Sequence, residues 1–161
     1  MVPYQDLFIA LAKENIRYLI AGGFAVNLHQ VQRATADLDL IVHLEEQNLQ
    51  RFVTLMTHLG FQPKLPVDPK DFAKADVRET WLREKNIMVF SFYHSRNSYE
   101  TVDVFVEEPK PFDELAARKL AIKAFGVAID VIGLDDLIDL KSSTGRDKDL
   151  FDVDQLRKKR K

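Results

Sequence analysis

Two aspartates one residue apart, Asp37 and Asp39, open an apolar run that continues Leu40-Ile41-Val42. In a strand, residues i and i+2 share a face, so the two carboxylates project together while Leu38 and Leu40 turn toward a core. Like charges held this close raise each other's pKa unless a cation sits between them. Carboxylate oxygens suit Mg²⁺, which keeps waters and takes further ligands from a substrate's phosphates. A third acid, Asp103, lies among the valines of Thr101–Val106. An aspartate there is costly if its face is dry. If that strand lies beside Leu38–Val42, Asp103 completes a three-carboxylate cluster. Such a cluster can hold two metal ions roughly 3.5–4 Å apart, a geometry that serves phosphoryl transfer.

Gly22-Gly23 supplies the complement. The pair follows the apolar strand Tyr18–Ala21 and precedes a helical pattern over Phe24–Gln30. Glycine lets backbone approach an anion, and a helix start offers free N–H groups, so a β,γ-phosphate has a seat here. Taken alone, two glycines signal only a turn. Arg33 and Thr35 lie between the glycines and the acids. They either join the site or satisfy backbone and neighbouring acids.

The remaining elements must position these groups. Helical spacing predicts helices over Pro3–Ile16 and Glu45–Leu59, the latter closed by Gly60. Pro63, Pro66 and Pro69 mark a stiff loop, and Asp71 is the expected cap of a helix reaching Trp81. Strands follow at Ile87–Tyr93 and Thr101–Val106, joined by the polar turn His94–Glu100, then a helical turn or two at Asp113–Arg118. Leu120–Phe125 and Val127–Ile132 flank Gly126 as a hairpin, and helices at Leu134–Ser142 and Lys148–Lys158 close the chain. The expected fold class is α/β (α+β): one domain over residues 1–161, a mixed sheet flanked by helices.

Bulk composition is that of an ordinary globular chain. The 161 residues are 46% hydrophobic and 30% charged, with net charge −2, which argues against bulk electrostatic capture of nucleic acid. Lys141–Lys161 nevertheless carries +4, ending in Arg157–Lys161, a basic tail read chiefly as solvated with nucleic-acid contact as the lesser reading. There is no cysteine, hence no disulfide and no thiolate metal site. No signal-peptide pattern and no run of about 20 apolar residues is present, so the expected location is the cytoplasm and no membrane partner is expected. The four histidines show no metal spacing, and Trp81 reads as packing. Lys141 ends a helix, where the dipole favours it anyway, and Asp149 and Asp152 read as structural partners of Arg146 or Lys148.

Gly22-Gly23 with Arg33-Ala34-Thr35-Ala36-Asp37-Leu38-Asp39-Leu40 resembles the polymerase-beta-like nucleotidyltransferase superfamily. Leu134–Lys141, Gly145–Leu150 and Asp152 resemble the closing motif of small bacterial nucleotidyltransferases related to AbiEii-type toxins. The resemblance implies metal ligation by Asp37, Asp39 and Asp103, with two Mg²⁺ ions and Mn²⁺ as a substitute. It implies triphosphate contact by Gly22 and Gly23, and phosphate contact by Lys141 and Arg146. The implied reaction moves a nucleoside monophosphate from a nucleoside triphosphate to a hydroxyl of RNA, protein or a small molecule, releasing pyrophosphate. The alternative is a catalytically silent nucleotide-binding protein, or one half of a toxin–antitoxin-type pair with a cognate partner protein. Many relatives have Gly-Ser where this chain has Gly22-Gly23, and larger members carry an additional acceptor-binding domain.

Overall fold

Tyr18–Ala21 forms a strand, β1, buried on both faces, as four apolar residues in a row demand. It runs antiparallel to β2 (Leu38–Val42), and β2 runs parallel to β5 (Thr101–Phe105). On one side β5 pairs antiparallel with β4 (Val89–His94), and β4 with β3 (Phe61–Pro63). On the other, β1 pairs parallel with β7 (Val127–Val131), which forms a hairpin with β6 (Leu120–Ala124). The result is one seven-stranded mixed sheet, ordered β3-β4-β5-β2-β1-β7-β6, in a computed structural model that describes residues 3–160. The expected α/β class with a helix-flanked mixed sheet is what forms.

Burial alternates along β4. Phe90 and Phe92 are fully buried, whereas Val89 is exposed and Ser91 and Tyr93 are half-buried. The buried face is covered by α3 (Glu46–His58), whose stripe Leu49, Phe52, Val53 and Met56 is inaccessible to solvent. Phe52 meets Phe92 edge-on at 6.0 Å, and Phe72 and Trp81 stack on Phe90 at 5.0 and 5.1 Å. Trp81 is therefore core packing, as its sequence context predicts. The Glu45 carboxylate starts α3 by accepting from the backbone N–H groups of Gln47 and Asn48, and Gly60 ends it with φ +95°.

Several boundaries differ from expectation, each for a local reason. Gly22 and Gly23 are the first residues of α2 (Gly22–Leu28), not a turn ahead of it. The proline-rich stretch contains β3, a strand on the sheet's edge, where the N–H that Pro63 lacks is not needed. Asp71 caps no helix. Asp68 instead accepts from Lys70 N at 2.9 Å to start a 3-10 turn, Pro69–Ala73, and α4 (Ala75–Glu84) follows without a side-chain cap. The first helix, α1, is confined to Gln5–Lys13, and α5 covers Phe112–Ala117. Helices α6 (Leu134–Ser142) and α7 (Asp147–Lys158) pack against each other at the C-terminus. The basic tail is partly tied down, with Arg160 2.8 Å from Asp135, and its last residue, Lys161, lies outside the described residues. Among the described residues no helix is long and apolar enough to cross a membrane.

Candidate active site

Parallel pairing of β2 with β5 sets Asp39 directly opposite Asp103. Neighbours across a register share a face, so the two carboxylates meet on the side opposite the Phe90 and Phe92 core. Asp37 lies just outside β2, exposed, where the sequence pattern had placed it inside the strand. All three acids line one cleft of about 550 Å³, a size usual for ligand sites. Ser91, opposite Asp103 on β4, donates its hydroxyl to Asp103 Oδ1 at 2.6 Å. Burial, then the charges of Asp103 and Asp37, push the Asp39 carboxyl up to about 6. Lys141 and Arg33 act in the opposite direction but do not offset this.

The glycines fit closely over the same carboxylate. Gly22 has φ +62°, and a Cβ added there would collide with the Asp39 side chain. A Cβ at Gly23 would collide with the Arg33 guanidinium and with Thr35. The backbone entering α2 thus passes over Asp39, Arg33 and Thr35 with no room for a side chain, which is why the helix starts on two glycines. The Asn27 side chain accepts from Arg33 N at 2.8 Å and fixes the loop that carries Arg33 and Thr35 along the rim.

The facing wall is cationic. Lys141, only 8% exposed, ends α6 with its ammonium 3.0 Å from Asp149 Oδ1 and 3.1 Å from Asp152 Oδ2. Arg33 Nε lies 3.0 Å from the same Asp152 oxygen. Arg146 Nε reaches Asp149 Oδ2 at 2.7 Å, and the Thr144 hydroxyl donates to that oxygen at 2.7 Å. Burial drives the Asp149 carboxyl up, but Thr144, Lys141 and Arg146 together outweigh it and hold the group at about 2. Three cations share two carboxylates here, leaving a net positive wall across from three acids.

Gly22, Gly23, Arg33, Thr35, Asp37, Asp39, Asp103, Lys141 and Arg146 therefore all line this one cleft. Asp149 and Asp152 are structural partners, as their place in α7 predicts, with Lys141 and Arg33 as partners besides Arg146. Ser91 and Asn27 had carried no sequence signal beyond a polar residue between buried neighbours. Three histidines bond neighbouring backbone or an acid: His29 to Ile132 O, His94 to Leu59 O, and His43 to Glu108. Among the described residues no three His, Asp or Glu side chains gather tightly enough to enclose a metal ion unaided. The donors that are present, the Asp39–Asp103 pair with Asp37 at the rim, are all oxygens, in a negative field that Lys141 and Arg33 only partly offset. That matches a hard cation whose shell is completed by water and phosphate.

No family model and no curated protein matches the chain. Solved structures do match in fold. The lincosamide antibiotic adenylyltransferase LnuA, with lincomycin bound, superposes with TM-score 0.62 at 14% identity over 98% of this chain and 97% of its own. An antigenic nucleotidyltransferase-like protein from Paracoccidioides brasiliensis gives 0.57 at 16%, over 94% and 72%. ANT(2″)-Ia in complex with adenylyl-2″-tobramycin gives 0.54 at 15%, over 92% and 81%. The chain has the nucleotidyltransferase-like fold. At this identity the likeness is one of architecture, and the site has to be read from its own residues.

Proposed function

We propose that the chain is a nucleotidyltransferase that moves a nucleoside monophosphate from a nucleoside triphosphate to a hydroxyl. The observation that carries this is the Asp39–Asp103 pair facing Arg33, Lys141 and Arg146 across one cleft. The cationic wall takes the phosphates, and the glycine turn lets backbone come within reach of them. Ser91 orients Asp103 and leaves its second oxygen free to accept the acceptor's proton. The acceptor oxygen bonds to the α-phosphorus, the bond to the bridging oxygen breaks, and pyrophosphate leaves with that electron pair. Mg²⁺ or Mn²⁺ held by Asp37, Asp39 and Asp103, two ions in the full complement, would supply charge neutralisation at the α-phosphate.

The bound lincomycin of LnuA and the adenylylated tobramycin of ANT(2″)-Ia favour a small-molecule acceptor over RNA or protein. The narrower kinship with AbiEii-type toxins, and with it a cognate antitoxin, rests on the Gly22-Gly23, Asp37–Asp39 and Lys141–Asp152 motifs alone. A cytoplasmic location accords with the supply of nucleoside triphosphate. The test is transfer of label from each α-labelled nucleoside triphosphate, with Mg²⁺, into hydroxyl-bearing small molecules and cell extract. Asp39→Asn and Asp103→Asn should abolish transfer. Equal label with wild type and both variants would end this reading, and so would tight nucleotide binding without turnover.

A further inference from the structure

Beyond the carboxylates the sheet does not end. Ser91 is opposite Asp103, Val89 opposite Phe105, and Gln62 on β3 opposite Tyr93 on β4. Val89, Ser91 and Tyr93 share the face that carries Asp103, and among the described residues that face is left partly open where the other is covered by α3. Val89 is 42% exposed, Gln62 and Lys64 are exposed, and Ser91 and Tyr93 are half-buried. Lys64 N–H donates to Ser91 O at 2.9 Å, which carries the ledge one strand further. From β5 to β3 it spans two strand spacings, about 10 Å.

Its chemistry is mixed and almost uncharged. The Tyr93 hydroxyl donates to Gln62 Oε1 at 2.9 Å, which braces both side chains and leaves the Gln62 amide N–H groups to donate outward. Val89 and the Tyr93 ring offer apolar surface, Ser91 a hydroxyl and Lys64 one ammonium. A nucleic-acid strand is captured by several Lys or Arg along its backbone, and this ledge has one.

We infer that the β3–β4 ledge seats the acceptor, and that the acceptor is a small uncharged polyhydroxylated molecule of one or two rings that lays an apolar face on Tyr93 or Val89 and presents a hydroxyl at Asp103 between them. This rests on the transferase reading of the cleft. A ledge of about 10 Å takes one to two sugar-sized rings.

Amide chemical shifts of the full chain test it, with methyl α-glucopyranoside, sucrose and oligouridylate as probes. The sugars at millimolar concentration should move the amides of Gln62, Lys64, Ser91 and Tyr93. Tyr93→Ala, and Val89→Asp at an exposed position, should each weaken that response at least tenfold while the rest of the spectrum stays in place. Shifts elsewhere, or none, would overturn the assignment. Shifts on the ledge with oligouridylate but not with sugars would give the surface to RNA instead. A separate titration with ATP and Mg²⁺, followed at Gly22 and Gly23, keeps the two readings apart. If it fails while the sugars still bind the ledge, the transferase reading falls and takes the acceptor role with it, leaving a sugar-binding surface; the reverse result removes the ledge alone.

Discussion

Arg33 Nε lies 3.0 Å from Asp152 Oδ2, so the loop between α2 and β2 is tied to the C-terminal helix through one buried oxygen. Lys141 shares that oxygen at 3.1 Å. Arg33 and Lys141, which face the acids, are thus held at a fixed spacing by a residue that does not itself line the cleft. Removing one partner of a buried ion pair costs about 3–5 kcal/mol, because the other charge is left uncompensated. Asp152→Asn should lower stability on that scale in urea titration and raise the KM for nucleoside triphosphate at least tenfold. Asp154→Asn, at an exposed position on the same helix, should do neither.

The Asp39 carboxyl titrates near 6 in the folded chain against 3.8 ordinarily, with burial as the main cause and Asp103 and Asp37 next. A carboxyl with a raised folded pKa binds its proton more tightly when folded. Its contribution to stability is therefore present below pH 3.8 and is lost as pH rises toward 6, by up to about 3 kcal/mol. In metal-free protein, Asp39→Asn should match wild type in melting temperature near pH 4 and exceed it at pH 7.5. A variant less stable than wild type at both values would contradict the field described for this carboxylate.

Gly22 is the tightest point of the site. Gly22→Ala must place a side chain at φ +62°, at about 1–2 kcal/mol for the backbone alone, and must also displace the Asp39 carboxylate. The expected result is a loss of at least 2 kcal/mol in denaturant titration, with nucleotide binding reduced beyond detection by calorimetry. Gly126→Ala also has a positive φ but meets open space, and should lose only the backbone part.

Ser91 holds Asp103 by a 2.6 Å hydrogen bond to a charged oxygen, and bonds of that kind contribute about 1.5–3 kcal/mol. Ser91→Ala should lower kcat by about ten- to a hundredfold. The KM for nucleoside triphosphate should hardly change, since on the proposed reading the phosphates meet the opposite wall. A rise in that KM with kcat preserved would remove Ser91 from this role.

Much of this architecture is visible in residue order. The apolar run Tyr18–Ala21, the alternation around Asp39 and Asp103, and the stripe from Leu49 to Met56 each fix one element by periodicity. The cleft follows once the two acid-bearing strands are neighbours. Three features depend on tertiary arrangement and are not legible locally. Pro63 rules out a central strand, and only its edge position makes β3 acceptable. The partnership of Arg33 with Asp152 joins residues far apart in sequence and leaves no local pattern. Ser91 likewise reads as one more polar residue until β4 is set against β5.

The acids and their counter-cations belong to elements of different kinds. Asp39 and Asp103 sit on β2 and β5, each flanked on both sides by other strands, whereas Arg33 sits on a loop and Arg146 at the start of the last helix, 63% exposed at its side chain. Backbone amides in the middle of a sheet exchange with solvent only when the whole fold opens, while loops and helix ends exchange through small local openings. On the transferase reading, the floor of the cleft stays put during turnover together with Arg33 and Lys141, which Asp152 ties down, and adaptation to an incoming triphosphate falls to the exposed Arg146.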